Sequence, residues 1–170
     1  GPLGFESSDI GLENILSSGV SLRDHLLNQI QMELANPIDR MIAVYLTDQL
    51  DDCGRLPDEL EATAHRLGCT VNRVADVLHR IQQFDPPGIF ARSLEEGWAI
   101  QLREKNRLDP AMATLLDNIE LLKQHDHKSL AKICHVELDD VQDMINEIWA
   151  LAHNPGDLYD DVIIEPAIPD

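Results

Sequence analysis

Residues 84–88 read FDPPG, and no other feature restricts the fold of this chain as much. Pro86 and Pro87 lack a backbone N–H and have a fixed φ, so neither a helix interior nor a paired strand can run through them. Pro86 also pushes Asp85 out of helical geometry. Yet both flanks carry the apolar spacing of helices, with Val74, Val77, Leu78, Ile81 and Phe84 before the break and Leu94, Trp98 and Leu102 after it. The segment therefore reads as a corner between two helices. The first is expected to end near Phe84. Pro87 and Gly88 suit the two central positions of a type II turn. Ser93 and Glu96 form the S-x-x-E start of the next helix, in which Gly97 would permit close packing. Phe84, Asp85, Pro86, Pro87, Gly88, Ser93 and Glu96 are thus structural residues first.

The same punctuation recurs along the chain. Ser21 opens a helix with Leu22, Leu26, Leu27, Ile30 and Leu34 on its buried side. Asn36 and Pro37 end that helix and start another, whose apolar stripe is Ile38, Met41, Ile42, Tyr45, Leu46 and Leu50. Gly54 is a left-handed exit, Pro57, Asp58 and Glu59 begin a short third helix, and Thr70 caps a fourth. Beyond a polar connection, Asp109 and Pro110 restart a helix through Met112, Leu115, Leu116, Ile119 and Leu122. A short helix through Leu130 and Ile133 then leads to a longer one through Leu138, Val141, Met144, Ile145, Ile148 and Trp149. The residues around Ala64–Phe84 and Ala131–Leu151 also echo each other at an offset of 67, with Val74, Leu78 and Ile81 matching Val141, Ile145 and Ile148. Only 4% of residues are aromatic, which suits aliphatic helix-on-helix packing. The expectation is an all-α chain of two small lobes, residues 21–106 and 107–156, the second resembling a helix-turn-helix three-helix unit. Residues 1–20 read as a tag remnant (GPLG) and a flexible acidic lead-in, and 157–170 as an extended tail.

A formal net charge of -18, with no net basic segment, argues against nonspecific contact with a phosphate backbone and favours basic protein surfaces. The second helix of the later repeat offers Asp139, Asp140, Asp143 and Glu147, the wrong sign for reading DNA. His125, His127, Cys134 and His135 lack the spacing of a zinc site, and Cys53, Cys69 and Cys134 read as reduced thiols. No phosphate-cradling glycine loop, nucleophile elbow or H-E-x-x-H run is present, so no catalytic, metal or cofactor site is expected. No segment reaches membrane-spanning length.

Four ordered landmarks resemble the sigma-54 (RpoN) family of bacterial transcription factors. Arg80-Ile81-Gln82 followed by Phe84-Asp85-Pro86, Gly88, Ala91-Arg92, Leu94 and Glu96 is similar to its F-D-P-x-G-x-x-A-R-x-L-x-E segment. Asp51 or Asp52 with Gly54 and Leu56 matches D-x-x-G-x-L. Residues 151–156 and the terminal I-P-D resemble L-N-P-x-P-G and the I-P-D that follows it. The departures are Phe90, where the family has a small residue, Ser93, where it has aspartate, and a missing first proline within 152–156.

The resemblance implies a core-binding domain rather than an enzyme. It would dock on the β and β′ subunits of core RNA polymerase in the cytoplasm, without a membrane. Contacts to an AAA+ activator and to promoter DNA would belong to other regions of the full protein, and the tail would lead towards the DNA-binding region. The fragment itself is expected to be monomeric. On this reading the acidic residues Asp48, Asp51, Asp52, Asp58 and Glu59 form a rim facing the polymerase, and Arg92 makes a surface or inter-lobe contact. The alternatives are a stand-alone helix-turn-helix DNA-binding regulator, which would bind duplex DNA in a salt-sensitive way, and an enzyme with a deep polar pocket between the lobes.

Overall fold

Side-chain caps set where the helices begin. The computed structural model describes residues 20–57 and 59–151. Residues 1–19, Asp58, residues 152–156 of the L-N-P-x-P-G-like exit and the expected tail lie outside the described residues. The Ser21, Asn36, Thr70, Ser93 and Asp109 side chains each accept a backbone N–H of the first helical turn, as the sequence predicts. They open α1 (Leu22–Glu33), α2 (Pro37–Asp48), α4 (Val71–Ile81), α5 (Leu94–Glu104) and α6 (Pro110–Asp117). The remaining helices are α3 (Leu60–Leu67), α7 (Ile119–Lys123), α8 (His127–Cys134) and α9 (Leu138–Trp149). No strand occurs among the described residues. None of their helices is long and apolar enough to cross a membrane.

Three elements differ from the sequence reading. The third helix starts at Leu60 rather than at Pro57, behind a Glu59 that makes no side-chain cap. The stripe from Met112 to Leu122 breaks at Asn118 into α6 and α7, because Asn118 adopts a non-helical φ of -118° and ψ of 44°. Gly54, with φ 85°, belongs to a turn after α2 rather than to the end of the helix itself.

The buried apolar side chains fall into two clusters. The first holds Leu26, Ile30 and Leu34 of α1, Ile42 and Leu46 of α2, Val74, Leu78 and Ile81 of α4, and Phe84, Ile89 and Phe90 of the corner. The second gathers Trp98 and Leu102 of α5 with residues of α6 to α9, including Leu115, Leu130, Val141, Ile145 and Ile148. Full burial of one such aliphatic side chain contributes roughly 1.5–3 kcal/mol, so the two clusters carry most of the driving force for folding. Because α5 packs on α6, its apolar face joins the second cluster.

The offset of 67 is also structural. Helices α3 and α8, moved by that number, cover the same positions, and α4 and α9 start in register. The Cys69 and Val136 N–H groups bond back to Ala64 and Ala131 at 3.0 Å, closing the same C-terminal motif. The residue that turns left-handed is Gly68 in one copy, with φ 72°, and His135 in the other, with φ 59°. Ile81 and Ile148 both have no exposed surface, and Phe84 and Leu151 are both 6% exposed.

Candidate functional site

Two segments that sequence alone keeps apart, 48–59 and 84–96, meet in one place. Phe90 N–H donates to the Gly54 carbonyl at 3.1 Å and Leu56 N–H to the Ala91 carbonyl at 2.9 Å. This two-bond ladder clasps the D-x-x-G-x-L loop to the corner. Leu56, Ile89 and Phe90 beneath it are buried, so the clasp is backed by apolar contact.

The corner has the predicted turn. Ile89 N–H donates to the Pro86 carbonyl at 3.1 Å and Gly88 has φ 90°, as the third position of a type II turn requires. The Asp85-Pro86 peptide is cis. Helix α4 ends at Ile81, but its final turn tightens through Phe84, whose N–H donates to the Ile81 carbonyl at 3.1 Å. Phe90 has φ 66° and no exposed surface, so an aromatic ring fills the core at a left-handed position. Gly97 is not crowded: an added Cβ would lie 3.5 Å from Ala91 Cβ, an ordinary contact.

A polar network ties the corner to both neighbouring helices. Gln82, buried at the end of α4, donates to the Phe90 carbonyl at 3.0 Å and also bonds the Glu96 carboxylate. Glu96 accepts from Arg92 N–H at 2.7 Å and from the Arg92 guanidinium at 3.2 and 3.3 Å, while its own N–H donates to Ser93 Oγ at 3.1 Å. Burial acts to raise the Glu96 pKa. The bonds from Arg92, its charge and the bond from Gln82 outweigh burial and hold the carboxyl below its ordinary value. Arg92 is thus engaged with its own helix cap and is one-third exposed beside the clasp.

Helix α1 grips the corner from the other side. The Gln29 side chain donates to the Asp85 carbonyl at 2.8 Å and accepts the Asp85 N–H at 2.9 Å. His25 Nε2 lies 2.9 Å from the Asp85 carboxylate. These partners stand 56 and 60 residues away in sequence, and no local signal marked them.

Asp48, Asp51, Asp52 and Glu59 are all exposed, and Asp58 lies outside the described residues. Asp48 pairs with Arg23 at 2.9 Å. Asp51 shapes its own turn, its carboxylate accepting Cys53 and Arg55 N–H groups at 2.9 Å each. Asp52 and Glu59 flank the loop that the clasp holds against the corner.

The arginines of α4 stay partly exposed but are bonded to neighbouring elements of the fold. Arg73 reaches Asp39 at 2.8 Å and Asn36 at 3.1 Å, and Arg80 donates to the Glu33 carbonyl at 3.0 Å. On α9, Asp139, Asp140 and Asp143 are exposed, while Glu147 holds Arg107 through contacts of 2.6 and 3.0 Å. The Arg107 bonds lower the Glu147 pKa. Cys134 sits in the second core, where burial pushes its thiol up and away from a reactive thiolate. Among the described residues no three His, Cys, Asp or Glu side chains gather as a metal would need.

The sequence profile described as "Sigma-54 factor, core binding domain" matches residues 11–170. The chain is 44% identical over 169 residues to the RNA polymerase sigma-54 factor of Rhizobium etli, covering 99% of this chain and 32% of that protein. To the RNA polymerase sigma-54 factor of Rhizobium meliloti (strain 1021) it is 48% identical over 159 residues, 94% of this chain and 31% of that one. The corresponding protein of Caulobacter vibrioides is 39% identical over 167 residues, with coverage of 98% and 34%. The chain spans about a third of the length of these curated relatives.

Proposed function

Because the chain belongs to the sigma-54 factor core-binding domain family, we propose that it docks a sigma-54 factor on core RNA polymerase through the β and β′ subunits. It acts by binding, with no chemistry of its own, in the bacterial cytoplasm. It works as a monomer of two lobes, residues 21–106 and 107–156, with Trp98 and Leu102 of the first reaching into the second buried cluster. Contacts to the activator and to promoter DNA belong to the remainder of such a factor.

The clasp between the 54–56 loop and the 90–91 corner carries this reading, because it ties two of the landmark segments together. We assign the polymerase-facing side to the acidic rim of Asp48, Asp51, Asp52, Asp58 and Glu59, with Arg92 at its margin. The acidic sign suits a basic partner and steers association. A stand-alone DNA-binding regulator has less support, since Arg73 and Arg80 are committed to Asp39 and the Glu33 carbonyl. Of the rim residues, Asp52 and Glu59 can be altered without breaking the Arg23 pair or the Asp51 turn. The double reversal Asp52→Lys and Glu59→Lys should therefore slow association with core polymerase about tenfold at low salt, and less at high salt. Unchanged association at low salt would rule out the rim.

A further inference from the structure

The apolar stripe of α2 is not wholly buried. Ile42 and Leu46 enter the first core, but Ile38 is 47% exposed and Met41 is 44% exposed. With half-buried Tyr45 they follow spacings of three and four, so they share one side of the helix. Single exposed apolar side chains are ordinary, but a ridge of three beside a groove is not. The groove, about 130 Å³, lies between α2 and α3; its lining is mostly polar, with Gln49, Glu59, Thr63 and Arg66 beside Tyr45 and Ala62. One turn beyond Tyr45 the same ridge reaches Asp48. Exposed Glu59 lines the groove, so Asp48 on the ridge and Glu59 beside it give the surface an acidic border.

We propose that this apolar ridge, with the polar groove beside it, forms a docking surface for a basic amphipathic helix of core RNA polymerase. The inference rests on the polymerase-docking reading and adds an apolar anchor to the acidic rim. Charge selects the occupant. A second copy of a chain with net charge -18 would be repelled, and so would nucleic acid. The residues of this chain outside the described ones, 1–19 and 152–170, hold acidic but no Lys or Arg side chains. A basic helix with apolar anchors satisfies both the ridge and its border. Met41 gives that contact a side chain that adapts its shape.

The test is titration of core RNA polymerase into fluorescently labelled protein carrying Ile38→Ser and Met41→Ser together. The control is Ile133→Ser, a residue 39% exposed on α8. The ridge variant should bind about tenfold or more weakly, with an unchanged unfolding midpoint, and the control within about twofold of the parent. The salt dependence should stay that of the parent, because no charge is altered. Parent-like affinity of the ridge variant would overturn the ridge and leave the polymerase reading intact. Failure of the parent to bind would overturn both.

Discussion

Glu96 and Glu147 illustrate how single carboxylates hold distant parts of the chain together. Glu96 joins Arg92, Gln82 and the Ser93 cap, and Glu147 closes on Arg107 from 40 residues away. Both have pKa values held below the ordinary 4.5. A carboxyl with a depressed folded pKa contributes stability that is complete above its unfolded value and lost as pH falls through the folded one. Glu96→Gln should therefore lower stability by roughly 1 kcal/mol at neutral pH, the scale of a lost charge-assisted bond. The gap between parent and variant should shrink as pH drops below 4.5. Urea unfolding across pH 3 to 7 measures this, and a gap independent of pH would refute the assignment. Residue-level roles were only partly legible in the sequence. The Ser93–Glu96 spacing announced a cap because capping is local. Gln29 on Asp85 and Arg73 on Asp39 were hidden, because their partners come close only once the helices have packed.

At the scale of elements, the two hairpins α3–α4 and α8–α9 pose the same backbone problem and solve it with different residues. Gly68 occupies the left-handed exit without cost, whereas His135 holds the same conformation with a Cβ. Nothing lies within 4 Å of a Cβ added at Gly68, so a substitution there tests the backbone alone. Gly68→Ala should cost about 1 kcal/mol, and His135→Gly should gain up to about 1 kcal/mol, both read by urea unfolding. A destabilising His135→Gly would contradict the account. Helix starts were legible because Ser21, Asn36, Thr70, Ser93 and Asp109 each signal one locally. Periodicity also found α2, but it could not separate buried Ile42 from exposed Ile38 and Met41, since all follow helical spacing. Only the placement of α1, α3 and α4 around α2 decides which side is covered. Phe90 was missed as a core residue because its burial depends on the clasp with Gly54.

At the scale of the molecule, two aliphatic cores meet at a corner and are wrapped in a surface of net charge -18. Bulk charge was readable from composition, and it carried the exclusion of nonspecific DNA binding further than any motif did. What composition could not supply is where the charge sits. Arg73 and Arg80 serve the fold, while Asp52 and Glu59 stay exposed. The most direct test of core-polymerase docking is fluorescence anisotropy of the labelled chain, titrated in parallel with core RNA polymerase and with duplex DNA. The account predicts saturable binding to polymerase that weakens as salt rises, and no binding to DNA. Salt-sensitive binding to DNA without binding to polymerase would contradict it.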